Sequence, residues 1–382
     1  FMISSMAKNS SSGRLHLECI DIEAETHDVK TFYFHIISDT NGDDTPIGQY
    51  RPGQFVTLRL RHGDQLVPRS YTISSSPSRP MLLTLTIKRD PNGLVSRFMH
   101  DRFHVGEIIS ANGPNGTFDL HSIELQKHIV MLSGGSGITP LMSMLRYIYD
   151  TRGLNHNVTF LHSARTPSDI IFRQELELIA SRLQIKLGFI CKNDAEEGMD
   201  ANFLDRAVLD KYVPKILDCT VLTCGPKPYM QAVKEILNEL NFDMDHYHEE
   251  SFGSPGLERN PEGALPETLT LDKLEVLKRT EFIEDAQVSK LMAEKGPNEI
   301  EFTVSGKSVA YLPGQTILDI AVQVGIAIPT NCQMGLCGTC KIQCLSGNVQ
   351  MDDTEGLEPG EKDTGMILTC CGRPNGRVSV EF

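Results

Sequence analysis

HIVMLSGGSGITPLMSMLRYIYD, residues 128–150, begins as an unbroken apolar run, ends that run in glycines and continues as an amphipathic helix. A strand covered on both faces reads as a run of this kind, whereas a half-buried strand alternates. The pattern repeats downstream. VTFLHSA (158–164), IKLGFIC (185–191) and CTVLTCGP (219–226) read as further buried strands. Between them, IIFRQELELIASRL (170–183) and LDRAVLDKYV (204–213) read as helices, with a last helix from Pro228 to Leu240. Strands alternating with helices predict a parallel, doubly wound α/β domain over residues 124–255.

The flanks differ from it and from each other. Upstream, HLECIDIEAE (16–25), KTFYFHIIS (30–38), QFVTLRLR (54–61), RSYTISS (69–75) and MLLTLTIKRD (81–90) alternate in short runs broken by Gly and Pro. They predict a small antiparallel β-barrel over 13–123, interrupted by one short helix at SRFMHDRF (96–103). Downstream, 256–298 holds prolines and many charges around a helix-like EFIEDAQVSKLMAEK (281–295) and reads as a linker with a surface helix. From 299 to 382, a hairpin (EIEFTVSGKSVAYL), a helix (TILDIAVQVG) and a closing strand (VSVEF) predict a small α+β module.

Composition bounds the function. The 382 residues are 40% hydrophobic and carry a net charge of -14, the pattern of ordinary globular protein. Nucleic acid is not expected as a partner, because binding phosphates needs a basic face. No run of 18 apolar residues suggests a membrane span, and the opening FMISSMAKNSSSG is too weakly apolar to read as a signal peptide. Of ten cysteines, six lie between 332 and 371. In a long chain such clustering suits metal better than disulfides, so a reducing, cytoplasmic setting is expected.

The most specific motif is Cys332-x4-Cys337-x2-Cys340, with Cys370 after twenty-nine intervening residues. Iron with bridging sulfide takes four thiolates, and this is the spacing of plant-type [2Fe-2S] sites. Gly335 and Gly338 relieve crowding in the loop. Structural zinc favours two separated Cys-x2-Cys pairs instead. Cys371 is the alternative fourth ligand and Cys344 a further thiol nearby; the apolar MILT (366–369) before Cys370 favours Cys370.

Three weaker motifs precede it. Arg69-Ser70-Tyr71-Thr72 offers a cation for a phosphate, a ring for stacking and a hydroxyl for a ring nitrogen. Gly93-Leu94-Val95-Ser96 opens a helix, where backbone N–H groups attract anions. Gly134-Gly135-Ser136-Gly137-Ile138-Thr139-Pro140 lets a pyrophosphate approach a helix N-terminus, and Cys224-Gly225-Pro226 lies at the carboxyl end of a parallel strand, where ligands of such sheets bind.

In this order the motifs resemble the ferredoxin-NADP reductase superfamily, in the form with a C-terminal ferredoxin module of β-grasp fold. The resemblance is nearest to the reductase components of Rieske-type oxygenases and to the NADH oxidoreductase that serves the hybrid-cluster protein. It implies that Arg69 meets the flavin phosphate, Tyr71 stacks on the isoalloxazine and Thr72 approaches its N5. It also implies that Gly93, Val95 and Ser96 hold the pyrophosphate of FAD. Gly134, Gly135, Gly137, Thr139 and Pro140 would bind the nicotinamide nucleotide, with Cys224, Gly225 and Pro226 facing it. Glu250 and Phe252 match a Glu-x-aromatic element. Thr72, Cys224 and Glu250 are the expected catalytic positions.

Ser163 and Arg165 follow the strand where the adenosine ribose would lie. No second basic residue is adjacent in sequence to clamp a 2′-phosphate, which favours NADH over NADPH. Electrons would pass from NADH to FAD to [2Fe-2S] and on to a separate acceptor protein, an oxygenase component or a hybrid-cluster protein, from a reductase that is monomeric when free. A redox sensor with the same cofactors is the other class of function open to these residues. His246 and His248 read as an incidental pair, and the acidic residues 352–361 as a solvated loop or a steering patch for a basic partner.

Overall fold

The computed structural model describes residues 14–37, 50–62, 65–79, 82–151, 156–183, 185–251, 298–311, 315–326, 328–330, 335, 338–351, 356–358 and 360–382. They form two compact units. One holds most of an antiparallel sheet and all of a parallel sheet; the other holds a third sheet with residues 60–70 and 90–103.

The antiparallel sheet comprises β1 (Arg14–Thr26), β2 (Val29–Ile37), β3 (Phe55–His62), β4 (Gln65–Thr72), β5 (Leu83–Lys88) and β6 (Ile108–Asn115) in the order β4-β3-β6-β1-β2-β5. Ile73 bridges Leu85, which joins the end of β4 back to β5 and closes the sheet into a barrel. Strand β6 was not anticipated: IISANGPN has too few apolar residues to read as a strand, yet it pairs with both β1 and β3. The motif strand also stops earlier than expected, at Thr72. Beyond it Ser74, Ser75 and Ser76 are buried. The helix α1 (Leu94–Asp101) begins at the Gly93 N-cap.

The parallel sheet runs β10-β9-β8-β7-β11-β12, with β7 (His128–Gly134), β8 (Asn157–Ala164), β9 (Lys186–Cys191), β10 (Asp200–Ala201), β11 (Cys219–Cys224) and β12 (Tyr247–Glu250). Every residue of β11 is buried, as the unbroken apolar run requires. On one face Met131, Phe160 and Leu222 pack with α2 (Ile138–Thr151) and α3 (Arg173–Leu183). On the other, Val130, Leu132, Leu161 and Val221 pack with α4 (Arg206–Tyr212) and α5 (Lys227–Glu239). The helix expected from residue 170 starts at Arg173, because Phe172 has a φ of 59° that no helix accommodates.

The third sheet is mixed, in the order β14-β13-β17-β15-β16. The hairpin of β13 (Glu299–Phe302) and β14 (Lys307–Ala310) pairs in parallel with β17 (Gly372–Glu381). β15 (Lys341–Met351) and β16 (Met366–Leu368) complete it. α6 (Ile317–Gln323) is opened by Thr316, whose hydroxyl accepts from the Asp319 N–H while the Asp319 carboxylate accepts from the Thr316 N–H. The expected linker and its surface helix, up to residue 297, lie outside the described residues.

Candidate functional site

Four side chains with polar or ionisable ends line up across the carboxyl edge of the parallel sheet. Glu250 on β12 is opposite Cys224 on β11, Cys224 opposite Ser133 on β7, and Ser133 opposite His162 on β8. Parallel neighbours in register project to the same face, so carboxyl, thiol, hydroxyl and imidazole form one row. Ser133 Oγ lies 2.8 Å from His162 Nδ1. Burial pushes the His162 imidazole down to about 3, so it is neutral at physiological pH. Burial likewise raises the Cys224 thiol, and the Glu250 carboxyl beside it adds to the rise. This thiol is a neutral packing group rather than a thiolate nucleophile.

Glu250 is the exceptional member of the row. The residue is partly exposed, but its Oε2 is buried, and desolvation raises the carboxyl to about 8. The one group that offsets this rise is the Thr72 hydroxyl, from the end of β4. The approach falls short of a formed hydrogen bond: neither Thr72 Oγ1 nor Glu250 Oε2 has a partner among the described residues. The fold thus brings the last residue of the Arg-x-Tyr-Thr strand to the last residue of the parallel sheet.

Two glycine turns interlock beside the row. A Cβ on Gly137 would sit 2.4 Å from the Cys224 carbonyl oxygen, and one on Gly225 would sit 2.7 Å from the Tyr229 ring. Glycine is therefore required here first for the packing of one turn on the other, in addition to any approach of a ligand. Thr139 is turned inward, its hydroxyl donating to the Ser136 carbonyl at 3.2 Å. Pro140 is buried in the first turn of α2. Ser163 Oγ, Thr223 Oγ1 and the Tyr229 hydroxyl are buried without formed hydrogen bonds among the described residues. Buried polar atoms left unmatched at a sheet edge suit a polar ligand that completes them. This agrees with a dinucleotide there.

Tyr229, Ser133, His162 and Thr223 were not singled out from the sequence. A Tyr three residues after Cys-Gly-Pro could have been noticed, since the first turn of α5 must face the glycine turn. The row could not, because it depends on strand register.

One sequence argument needs correction. No basic residue neighbours Arg165 in sequence, but β9 ends beside it in space: the Lys192 N–H donates to the Ala164 carbonyl at 3.1 Å and the Asn193 N–H to that of Arg165 at 2.8 Å. Lys192 is therefore a basic residue that strand pairing sets next to Ala164 and Arg165, and its Nζ sits 5.3 Å from the centre of the Phe203 ring. His246 belongs to a 3₁₀ turn rather than the strand, and its Nε2 meets the Gln126 amide at 3.0 Å, away from any shared ligand set with His248.

In the other unit, Val95 and Ser96 are buried in the first turn of α1. Ser96 Oγ accepts from the Asp90 N–H at 3.1 Å, so the hydroxyl is spent on its own loop and the backbone N–H groups of this turn are the donors that could meet an anion. Arg69 and Tyr71 are half-buried on β4.

Cys370 follows β16, and its sulfur lies 3.2 Å from that of Cys340, beyond the ~2.05 Å of a disulfide. The Gly335 N–H donates to Cys370 Sγ at 3.2 Å, the kind of contact that stabilises thiolate charge. Cys371 Sγ lies 3.8 Å from the Leu368 carbonyl, and Cys344 Sγ faces the Ser346 carbonyl. The donor set and the amide aimed at it fit an iron-sulfur cluster. Cys332, Cys337 and Phe252 lie outside the described residues.

Three family models match the chain: an oxidoreductase FAD-binding domain over residues 16–120, an oxidoreductase NAD-binding domain over 131–235 and a 2Fe-2S iron-sulfur cluster binding domain over 302–375. The chain belongs to the FAD- and NAD-binding oxidoreductases of the ferredoxin-NADP reductase superfamily that carry a 2Fe-2S domain. It is 40% identical to the glycine betaine monooxygenase reductase subunit of Chromohalobacter salexigens, across 97% of this chain and 96% of that protein. It is 36% identical to the stachydrine N-demethylase reductase subunit of Rhizobium meliloti, across 96% of each. In fold it is similar to phthalate dioxygenase reductase, with a TM-score of 0.59 and 20% identity over 97% of this chain and 98% of that one. No helix among the described residues is long and apolar enough to cross a membrane.

Proposed function

We propose that this oxidoreductase takes electrons from NADH and passes them through FAD and [2Fe-2S] to a separate Rieske-type oxygenase. The observation that carries the reading is the meeting of Thr72 and Glu250, two buried and unmatched polar groups from the flavin-motif strand and the nucleotide sheet. A flavin held along β4 and a nicotinamide held at the glycine turns would come together there. When bound, FAD would accept one hydride, an electron pair, and release electrons singly, which lets a two-electron donor serve a one-electron cluster.

The chain's own residues bind and orient. Arg69 neutralises the flavin phosphate, Tyr71 stacks on its ring and Thr72 faces the ring nitrogen; the amides at Gly93, Val95 and Ser96 meet the pyrophosphate. Gly134, Gly135, Gly137, Thr139 and Pro140 cradle the second nucleotide, and Ser163 and Arg165 hold its ribose. Cys224, Gly225, Pro226, Glu250 and Phe252 enclose the nicotinamide and exclude water. Cys332, Cys337, Cys340 and Cys370 ligate iron. We take the flavin, nucleotide and ferredoxin domains as 13–123, 124–255 and 299–382, with 256–298 as linker. NADH remains the proposed donor, because the Lys192 ammonium lies over the Phe203 ring. The whole-length relatives named for glycine betaine and stachydrine support an oxygenase of N-methylated amino acids as the partner.

Anaerobic titration of the cluster-loaded protein tests the chain of transfer. Low NADH should bleach the flavin and iron-sulfur absorbance together, and NADPH should do so only at higher concentration. A cluster that stays oxidised beside a bleached flavin would overturn the internal relay. Turnover of a purified oxygenase of that class, dependent on this reductase, tests the partner.

A further inference from the structure

Helix α2 has the nucleotide turn at its start and, further along, a polar face turned to the segment that follows Thr72. Ser143, Arg146 and Asp150 lie on that face at spacings of three and four. Ser143 Oγ donates to the Ser75 carbonyl at 2.6 Å, and Arg146 Nη1 donates to the Ser74 carbonyl at 2.7 Å. Asp150 accepts from Arg79 at 2.9 and 2.7 Å and from Ser78 Oγ. On its other edge the Arg146 guanidinium forks onto Glu175 of α3 at 2.8 and 2.6 Å, with its carbon 4.6 Å from the centre of the Phe172 ring.

Arg146 is only 9% exposed, and nothing about its place at the nucleotide-domain surface requires a buried cation. A planar fork with donors left over can hold a carboxylate and a carbonyl at once, which an ammonium does less well. Ser74 is itself immobilised: its hydroxyl meets Thr84 Oγ1 at 2.8 Å and Thr86 Oγ1 at 2.9 Å inside the barrel. The guanidinium therefore ties the segment after β4 to α2 and α3, and the joint lies two residues from Thr72.

We propose that Arg146, held by Glu175, is a positioning residue that fixes the strand end beyond Thr72 against α2 and so sets the gap between flavin and nicotinamide. Neither residue is assigned a contact with either cofactor. Both half-sites should survive its loss, and their alignment should not. The proposal rests on the reading that FAD and NADH meet at this edge, and the unmodified protein tests that reading separately.

The experiment compares Arg146→Met, Arg146→Lys and Glu175→Gln with the unmodified protein. Readouts are FAD content, the dissociation constant for NAD, the long-wavelength charge-transfer absorbance formed on mixing with NADH, and the flavin reduction rate at saturating NADH. Amide hydrogen exchange at residues 74–76 is followed in the cofactor-free protein. Arg146→Met should keep FAD content and nucleotide affinity within about twofold while reduction slows tenfold or more, the order expected for a small misplacement. The charge-transfer band should weaken, and exchange at 74–76 should rise while that of β7 stays unchanged. Arg146→Lys, which keeps one donor, should recover part of the rate.

If Arg146→Met does not fold, Glu175→Gln carries the test, since it loosens the fork and leaves the cation in place. Full reduction rate and an unchanged band in a folded variant would overturn the proposal, as would a rate loss explained wholly by lost FAD or nucleotide affinity. Absence of NADH reduction in the unmodified protein would instead defeat the reading on which it rests.

Discussion

Cys340 and Cys370 are brought together from one loop and one strand end, whereas Thr72, Ser133, His162, Cys224 and Glu250 come from five strands of two sheets. Iron imposes its coordination chemistry on the first region, so residue type and local spacing carry most of the information. The second region is proposed to hold organic rings between neutral groups, and its information lies in register, in which residue stands opposite which. A substitution in the first should fail completely or not at all. In the second it should fail by degrees.

The largest effect therefore belongs to the cysteines. Cys370→Ser and Cys340→Ser should each lose the cluster, read as lost iron and visible absorbance, because a hydroxyl is a poor substitute for a soft thiolate. Cys371→Ser should keep it, since that sulfur faces the Leu368 carbonyl. Equal losses at Cys370 and Cys371 would show that adjacent sulfurs share the iron, and the contrast between the regions would weaken.

Next comes a substitution that adds a single carbon at the nucleotide edge. Gly137→Ala puts a Cβ against the Cys224 carbonyl, backbone on backbone, with no flexible atom to give way. Destabilisation of about 3 kcal/mol is expected from such overpacking, with loss of nucleotide binding. Gly135→Ala has open space around its Cβ and only a φ of 53° to maintain, so about 1 kcal/mol is expected. Urea unfolding of both variants checks the ratio, and similar midpoints would mean that conformational strain rather than turn-on-turn contact makes glycine necessary at 137.

The same contrast explains what the sequence disclosed. Strands β7 and β11 were legible because burial on both faces demands unbroken apolar runs, and TILDIAVQVG read as the helix that α6 forms. Strand β6 was not, because IISANGPN is held by its two neighbours rather than by its own composition. Arg69, Thr72, Cys224 and Glu250 stood out because each lies in a short motif. The Ser133–His162 pair stood in no motif, and the Lys192 backbone came next to Ala164 only by strand pairing. Arg146 lay unremarked in an amphipathic helix, where an arginine is ordinarily a solvated charge.

An intermediate effect is expected at Cys224. Its thiol is neutral and buried, so Cys224→Ala removes shape beside the nicotinamide rather than a reactive group. Flavin reduction at saturating NADH should slow roughly tenfold, with KM for NADH within about twofold, because misorientation costs rate more than affinity. A change confined to KM would place Cys224 in ordinary ground-state binding and blur the distinction between holding a nucleotide and aligning it.

The smallest expected effect concerns protons at the same edge. Burial raises the Glu250 carboxyl from an ordinary 4.5 to about 8 in the folded protein. Between those values the folded cofactor-free chain keeps a proton that the unfolded chain has released, so the contribution is fully present below the lower value and fades as pH rises through the upper. His162 acts oppositely. Its imidazole is held down to about 3 from 6.5, so the unfolded chain gains a proton as pH falls through 6.5 and stability falls with it. The two windows overlap, so a single melting curve cannot separate them. Comparison of Glu250→Gln with the unmodified chain can, because His162 is common to both. The variant should lose less melting temperature between pH 5 and pH 8, by about 2–4 °C for a chain of this size. Parallel curves would mean that Glu250 is solvated in solution and that its meeting with Thr72 forms only around bound cofactors.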